Sequence, residues 1–355
     1  MPRPRACCFL IPGDWFTPTG GYTYDRRLVQ SLRESGWDVD VLRLDGTWPA
    51  PDEETRAAAS AMIGALPDGT LVVADGLAFG ALEGVVQPHA ERLRWLALVH
   101  HPLHLETGLD EVVRGRLLAN ESLALRLARW VVVTSASTVE DVAAMGVPRE
   151  RIAVVEPGTD PVRRPTRNRP AVGSGPVRLL CVATLTPRKG HAVLLQALRG
   201  LSARDWELHN VGSLTRDTAT AARLQEMSTA APLAGRVFWH GDVDAATVQS
   251  HDAAADLLVL PSLHEGYGMV VAEALAAGLP VLASRAGALA HTVPAQAGLL
   301  VPPNDVAALQ AALERLIAEP GLRAQLAAGA RAAARHLPTW ETQAARFALV
   351  LEGLG

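Results

Sequence analysis

The chain has 355 residues, enough for about two domains with cores of their own, so a small disulfide-stapled module is excluded. Hydrophobic residues make up 49% and charged residues 20%, the balance of a globular protein rather than a disordered one. The net charge of −4 is unevenly divided: residues 1–163 carry 16 Lys+Arg against 22 Asp+Glu and the remainder 17 against 15, so the first half offers no general attraction for nucleic acid or an anionic bilayer.

In chain order, the first apolar run, Cys7 to Ile11, is too short for the core of a secretory leader and reads as a β-strand. Further strands are predicted at Val39 to Leu44, Leu71 to Ala74, Trp95 to Val99, Trp130 to Thr134 and Ile152 to Val155. Between Pro161 and Pro176 the apolar period disappears among Pro161, Pro165, Pro170, Pro176, Gly173 and Gly175, the composition of a linker. Strands resume at Val177 to Ala183, Glu207 to Val211, Arg236 to His240, Leu257 to Leu260, Pro280 to Ala283 and Leu299 to Val301. Helical segments follow at Asp305 to Ala318, Leu322 to Arg335 and Glu341 to Leu351.

Strands alternating with helical stretches on both sides of a linker predict an α/β protein of two Rossmann-like, doubly wound parallel sheets facing across a cleft, with the two halves echoing each other. The expected domains are 1–163 and 164–338, with a last helix in 339–355 packing back on the first. No uninterrupted apolar stretch reaches the length of a membrane span, so a cytoplasmic chain without stable membrane insertion is expected. Cys7, Cys8 and Cys181, odd in number and without metal-ligand spacing, read as reduced buried thiols.

The most informative segment runs from Leu257 through Glu265-Gly266-Tyr267-Gly268-Met269 to Glu273 and Pro280. A strand passes through a two-glycine loop into a helix starting near Gly268, which leaves backbone amides facing the strand ends where α/β sheets bind ligands. Glu265 and Glu273 can then reach different hydroxyls of an extended polyol; the alternative is that Glu265 caps the helix and Glu273 is solvated. A second strand-to-helix turn holds Arg188-Lys189-Gly190, and Lys189 is the only lysine in the chain. One lysine among arginines, just before a helix, suggests a compact ammonium aimed at phosphate, against the alternative of a solvated turn residue. Gly20-Gly21 opens the first helix and allows close backbone approach to a ligand, although such a pair is also ordinary turn chemistry.

The fourth strand ends in His100-His101-Pro102, with His104 and Glu106 behind it. Consecutive side chains diverge, so no metal site is expected there, and a structural histidine is the alternative to a functional one. Asp38 and Asp40 open a strand, Asp242 and Asp244 precede a helix that one of them caps, and Ser137-Thr-Val-Glu140 reads as a capping box. No Gly-x-Gly-x-x-Gly follows either first strand, which argues against a nicotinamide dehydrogenase.

On these motifs the chain resembles family 4 of the retaining glycosyltransferases, which have the GT-B fold. The resemblance covers nearly the whole chain, with further landmarks at Thr134-Ser135, Pro157-Gly158-Thr159-Asp160 and Gly298-Leu-Leu-Val-Pro-Pro. It implies an acceptor domain first and a donor domain second. Glu273 would hold the donor ribose, Glu265 and the amides of Gly266, Tyr267, Gly268 and Met269 the transferred sugar, Lys189 the diphosphate, and His100, in preference to His101, the neighbourhood of that sugar. The family pairs its lysine with an arginine after a glycine at the strand end; here those positions read Ala183-Thr184, leaving Arg188 or Arg285 as replacement.

The implied activity is metal-independent hexosyl transfer from a nucleotide diphosphate sugar, with no cofactor, to an acceptor expected to be a soluble small molecule or glycan. The acidic first half argues against an anionic membrane acceptor, and the arginines of the segment Arg114 to Arg129 are diluted by acids while its leucines are expected to face the core. Lys189, Glu265 and His100 are the candidate catalytic set, and front-face attack requires no enzyme nucleophile. A sugar-nucleotide epimerase or hydrolase of the same fold, or a catalytically inert sugar-nucleotide sensor, are the alternatives.

Overall fold

A computed structural model describes residues 5–161 and 175–354. Most of the expected linker, including Arg163, Pro165, Pro170 and Gly173, lies outside the described residues. The chain divides into two compact units: residues up to Gly158 together with the segment from Pro338 onward, and Thr159–Leu337.

The first unit holds six strands, β1 (Ala6–Pro12), β2 (Asp38–Leu44), β3 (Leu71–Asp75), β4 (Arg94–Val99), β5 (Trp130–Val133) and β6 (Ile152–Val154). The second holds β7 (Val177–Val182), β8 (Trp206–Val211), β9 (Val237–Trp239), β10 (Leu257–Leu260), β11 (Val281–Ser284) and β12 (Gly298–Val301). All pairings are parallel. Parallel sheets are covered by helices on both faces, which is why inner strands such as Leu71–Asp75 and Leu257–Leu260 are buried throughout. Every strand was readable to within one residue at each end, the inner Leu71–Asp75 and Leu257–Leu260 from their apolar runs.

The strand orders differ between the units, so the echo expected from sequence stops at the level of alternation. The first sheet runs β2-β1-β3-β4-β5-β6, which puts its order reversal at β1/β3; the second runs β12-β11-β10-β7-β8-β9, with the reversal at β7/β10. At such a reversal the connections leave in opposite directions and open a crevice beyond the strand ends. The loops after β1 and β3 in one unit, and after β7 and β10 in the other, are therefore where each fold can receive a ligand.

The last helix, Trp340–Glu352, belongs to the first unit. Phe347 is fully buried with its ring 6.2 Å from that of Phe9, Trp340 packs edge-on to Tyr24 at 5.7 Å, and Arg27 lies 5.6 Å from the Trp340 ring. Burial of one such aromatic contributes about 2–3 kcal/mol, which fastens the chain terminus to the first core.

Two local readings change. The helix Ala136–Ala144 is capped by Ser135, whose hydroxyl accepts from Thr138 N at 3.3 Å; Ser137 lies inside it and Glu140 instead pairs with Arg149. The leucines of helix Glu111–Leu127 do not all face the core: Leu125 is buried, whereas Leu118 and Leu123 are exposed together with Val112. Asp244, as expected of that pair, caps helix Ala245–Ala254. Among the described residues, no helix is long and apolar enough to cross a membrane.

Candidate functional site

In the second unit, three loops meet at the β7/β10 reversal. Leu263 N donates to Arg188 O at 2.7 Å, which joins the loop after β7 to the loop after β10; Ala288 N donates to Glu265 O at 2.9 Å, which joins the latter to the loop after β11. Gly190 makes the first junction possible. It has φ of 70°, and a Cβ there would lie 2.1 Å from the Pro261 carbonyl oxygen, so no other residue fits.

This framework brings Arg188, Lys189 and Glu265 into direct contact. Lys189 Nζ donates to Glu265 Oε1 at 2.5 Å, Ser262 Oγ donates to the same oxygen at 2.7 Å, and Arg188 Nη1 lies 3.7 Å from Oε2 while donating to His264 O at 2.9 Å. Burial raises the Glu265 carboxyl pKa, but the charges of Lys189 and Arg188 and the two hydrogen bonds outweigh it and bring it down to about 2. Glu265 does not cap the helix; it is an ionised carboxylate held by two cations. Arg285, in contrast, is exposed at the end of β11, so Arg188 is the guanidinium at this cluster.

Helices His191–Arg199 and Met269–Ala276 begin at this point, and each is capped by a glycine, Gly190 and Gly268, with no side-chain hydrogen bond to its first turn. The helices Thr218–Thr229, Ala245–Ala254 and Val306–Ala318 of the same unit are capped by aspartates. An aspartate at the reversal would occupy the first-turn amides and repel an anion. Val193 N and Val271 N donate to the carbonyls of the glycine caps, and the glycines place no side chain against the earlier amides or the positive end of the helix dipole.

Glu273 sits within the second of these helices, apart from the Lys189–Glu265 pair. Its pKa is raised by burial and then by Asp160, and Asp252, also buried, is pushed up to about 7 by burial and by Glu273. A carboxyl in such company favours hydroxyl ligands over further anions. Gly266 and Tyr267 are buried in the loop, and Met269 opens the helix.

In the first unit, Gly20 and Gly21 form the start of helix Gly20–Glu34, capped by Thr19. Gly21 has a steric reason: a Cβ there would lie 3.2 Å from the His100 ring, so the glycine lets the helix pass close over that histidine. His100 Nε2 is 2.9 Å from Asp25 Oδ1 and 3.7 Å from Asp75 Oδ2, with Tyr24 edge-on at 5.1 Å. Burial disfavours the charged ring, but Asp25 and then Asp75 raise its pKa overall; Asp75 is itself pushed up to about 8 by burial and by Asp25. Donor atoms of Asp25, Asp75 and His100 lie within 4.8 Å of one another, a grouping that could also hold a cation.

Sequence reasoning did not find Asp25, Asp75, Ser262 or Asp252. The available signals were weak: an acid directly after a buried Tyr24, and an acid at the end of a wholly apolar strand. His104 does not join this group; its Nδ1 faces Glu121 Oε2 at 4.0 Å.

Among the described residues the fold is two parallel six-stranded Rossmann-like sheets, with two cations, a carboxylate and two glycine-capped helix starts at the second sheet's reversal. Residues 162–333 match the family model for glycosyl transferases group 1. The chain is 31% identical over 274 residues to a D-inositol 3-phosphate glycosyltransferase of Xylanimonas cellulosilytica, covering 71% of this chain and 65% of that protein. It is 28% identical over 333 residues to an MMP alpha-(1->4)-mannosyltransferase of Mycolicibacterium hassiacum, covering 88% and 79%. Its fold is similar to sucrose-phosphate synthase from Thermosynechococcus elongatus, with a TM-score of 0.81, 25% identity and coverage of 98% and 99%. The chain belongs to the group 1 glycosyltransferases, family 4.

Proposed function

We propose that this chain transfers a hexose from a nucleotide diphosphate sugar to a hydroxyl of a soluble small molecule or glycan, with retention at the anomeric carbon and without a divalent ion. The observation that carries this reading is the Lys189–Glu265–Arg188 cluster beside two glycine-capped helix N-termini.

Departure of a diphosphate from an anomeric carbon is the difficult step, because negative charge grows on the leaving group while the sugar acquires oxocarbenium character. Lys189 and the free amides are suited to the growing phosphate charge, and Arg188 takes the place of the family arginine absent at Thr184. Glu265, ionised at every physiological pH, accepts hydrogen bonds from the transferred sugar, and Gly266 to Met269 line its loop. Glu273 is assigned to the ribose hydroxyls and His100 to the sugar. The second unit thus serves the donor and the first the acceptor. Retention follows from attack on the face the diphosphate leaves, with the leaving phosphate receiving the acceptor proton.

The two relatives, one named for glycosyl and the other for mannosyl transfer, support a hexosyl donor. Incubation with labelled nucleotide sugars, with and without candidate acceptors and in excess EDTA, tests the reading. Acceptor-dependent label transfer that survives EDTA is expected. Label release without acceptor would favour hydrolysis, and binding without turnover a sensor.

A further inference from the structure

A second group of chemistry-bearing side chains lies in the second unit, on residues that the donor reading does not use. His209 in the middle of β8, His240 immediately after β9 and His251 on helix Ala245–Ala254 present ring nitrogens that lie within 4.8 Å of one another. We propose that these three histidines form a binding site for a divalent transition ion of the zinc class, with the fourth position open to water.

The arrangement follows from the sheet register. β8 and β9 pair with His209 opposite Phe238, which puts His240 two residues further along the same face, and the helix carries His251 across to meet them. His209 Nδ1 and His240 Nε2 are 3.0 Å apart, and the His240 and His251 ring centroids are 4.4 Å apart. Two nitrogens on a tetrahedral ion, each bonded at about 2.0–2.1 Å, are separated by about 3.3 Å. His209 and His240 already lie near that spacing, and the His251 nitrogen, within 4.8 Å of both, closes on the ion by side-chain rotation.

The surroundings fix the rings for this purpose. Glu207, two residues before His209 on the same strand face, reaches His209 Nε2 at 3.4 Å, and Phe238 stacks on the His209 ring at 4.9 Å. A carboxylate that accepts from the far nitrogen of a histidine sets the tautomer with Nδ1 unprotonated, which is the usual outer support of a metal-ligating imidazole. His209 then accepts a proton shared from His240 Nε2. An ion takes that proton's place, and the proton moves to His240 Nδ1, which is accessible because His240 is exposed. All three rings remain neutral ligands. Imidazole nitrogens suit zinc, nickel and copper, and are poor partners for magnesium or calcium.

The consequence is structural: one ion would tie the edge strand β9 to β8 and to the following helix. The test uses the full chain carrying no polyhistidine tag, stripped with EDTA, exchanged into chelator-free buffer at neutral pH and titrated with zinc or cobalt(II) chloride. Binding of one ion per chain at micromolar or tighter Kd is expected, with visible d–d bands for cobalt and a Tm that rises on metal addition. His209→Ala and His251→Ala should each weaken binding 100-fold or more and remove the Tm response, and Glu207→Gln should weaken it about 10-fold. His291→Ala, at an exposed histidine elsewhere in the unit, should bind as wild type. The proposal is overturned if wild type binds no zinc at submillimolar concentration, or if correctly folded His209→Ala and His251→Ala retain wild-type affinity.

Discussion

Lys189 and Glu265, 76 residues apart in sequence, are joined by a 2.5 Å ion pair across the loops that leave β7 and β10. The residues proposed to meet phosphate and sugar are therefore in direct contact with each other. Lys189→Ala should lower kcat/KM on the order of 100-fold or more, since a charge-assisted contact to the leaving phosphate in a shielded site is worth about 2–4 kcal/mol. It also leaves Glu265 buried without its main cation, which costs stability on the order of 3 kcal/mol. Denaturant unfolding of Lys189→Met, Glu265→Gln and the double variant measures the coupling. The double variant should be less destabilised than the sum of the singles, and strict additivity would show that the pair contributes nothing.

Glu265 and Glu273 should fail in different ways. Glu273→Gln should weaken binding of free nucleoside diphosphate about 10-fold, because it removes a strong acceptor for ribose hydroxyls. Glu265→Gln should leave that affinity within a few-fold and lower kcat. Calorimetry beside steady-state kinetics separates the two, and an exchange of the effects would reverse the assignment.

His191 supplies a pH dependence that can be isolated. Burial and then Lys189 lower its pKa from 6.5 to about 4, with its ring 3.5 Å from Cys181 Sγ. The unfolded chain takes up this proton near pH 6.5 while the folded chain does not until about pH 4, so the folded state loses stability as pH falls through that interval. Linkage sets the loss at about 3 kcal/mol. His191→Leu removes the titration; between neutral pH and about pH 4 the variant should gain roughly that amount relative to wild type. Parallel stability curves would contradict the assignment of a buried neutral imidazole.

Much of this was readable because it rests on consecutive residues. Leu257–Leu260 and Leu71–Asp75 are uninterrupted apolar runs, and parallel strands buried on both faces produce just that pattern. Lys189 stood out as the only lysine, at a strand-to-helix turn, and Glu265 as an acid in the loop after Leu257–Leu260, whereas Arg188 was one of two candidates, with Arg285, for the family arginine. Strand order was not readable, since alternation predicts parallel neighbours without saying which, and Asp25, Asp75 and His100 come from a helix and two separate strand ends that only the order β1-β3-β4 gathers. His209, His240 and His251 were hidden for the same reason. Leu118 and Leu123 were misjudged because helix Glu111–Leu127 has no clean apolar period and buries Glu121, Ala124 and Leu125 instead.

That helix also gives the acceptor reading its sharpest test. Val112, Leu118 and Leu123 are 82%, 39% and 49% exposed, yet residues 1–163 carry 16 basic against 22 acidic groups. Negative charge opposes approach to an anionic bilayer, so the full chain should not co-sediment with anionic vesicles. Salt-sensitive co-sedimentation that Val112→Asp and Leu123→Asp abolish would contradict a soluble acceptor.

Whether the β7/β10 reversal holds the diphosphate of a nucleotide sugar is decided by titrating the full chain with GDP and UDP in the presence of EDTA. Saturable binding of at least one of them is expected, weakened about 100-fold in Lys189→Ala and unchanged in Arg285→Ala. Equal affinity in wild type and folded Lys189→Ala, or no binding of either nucleotide, would contradict it.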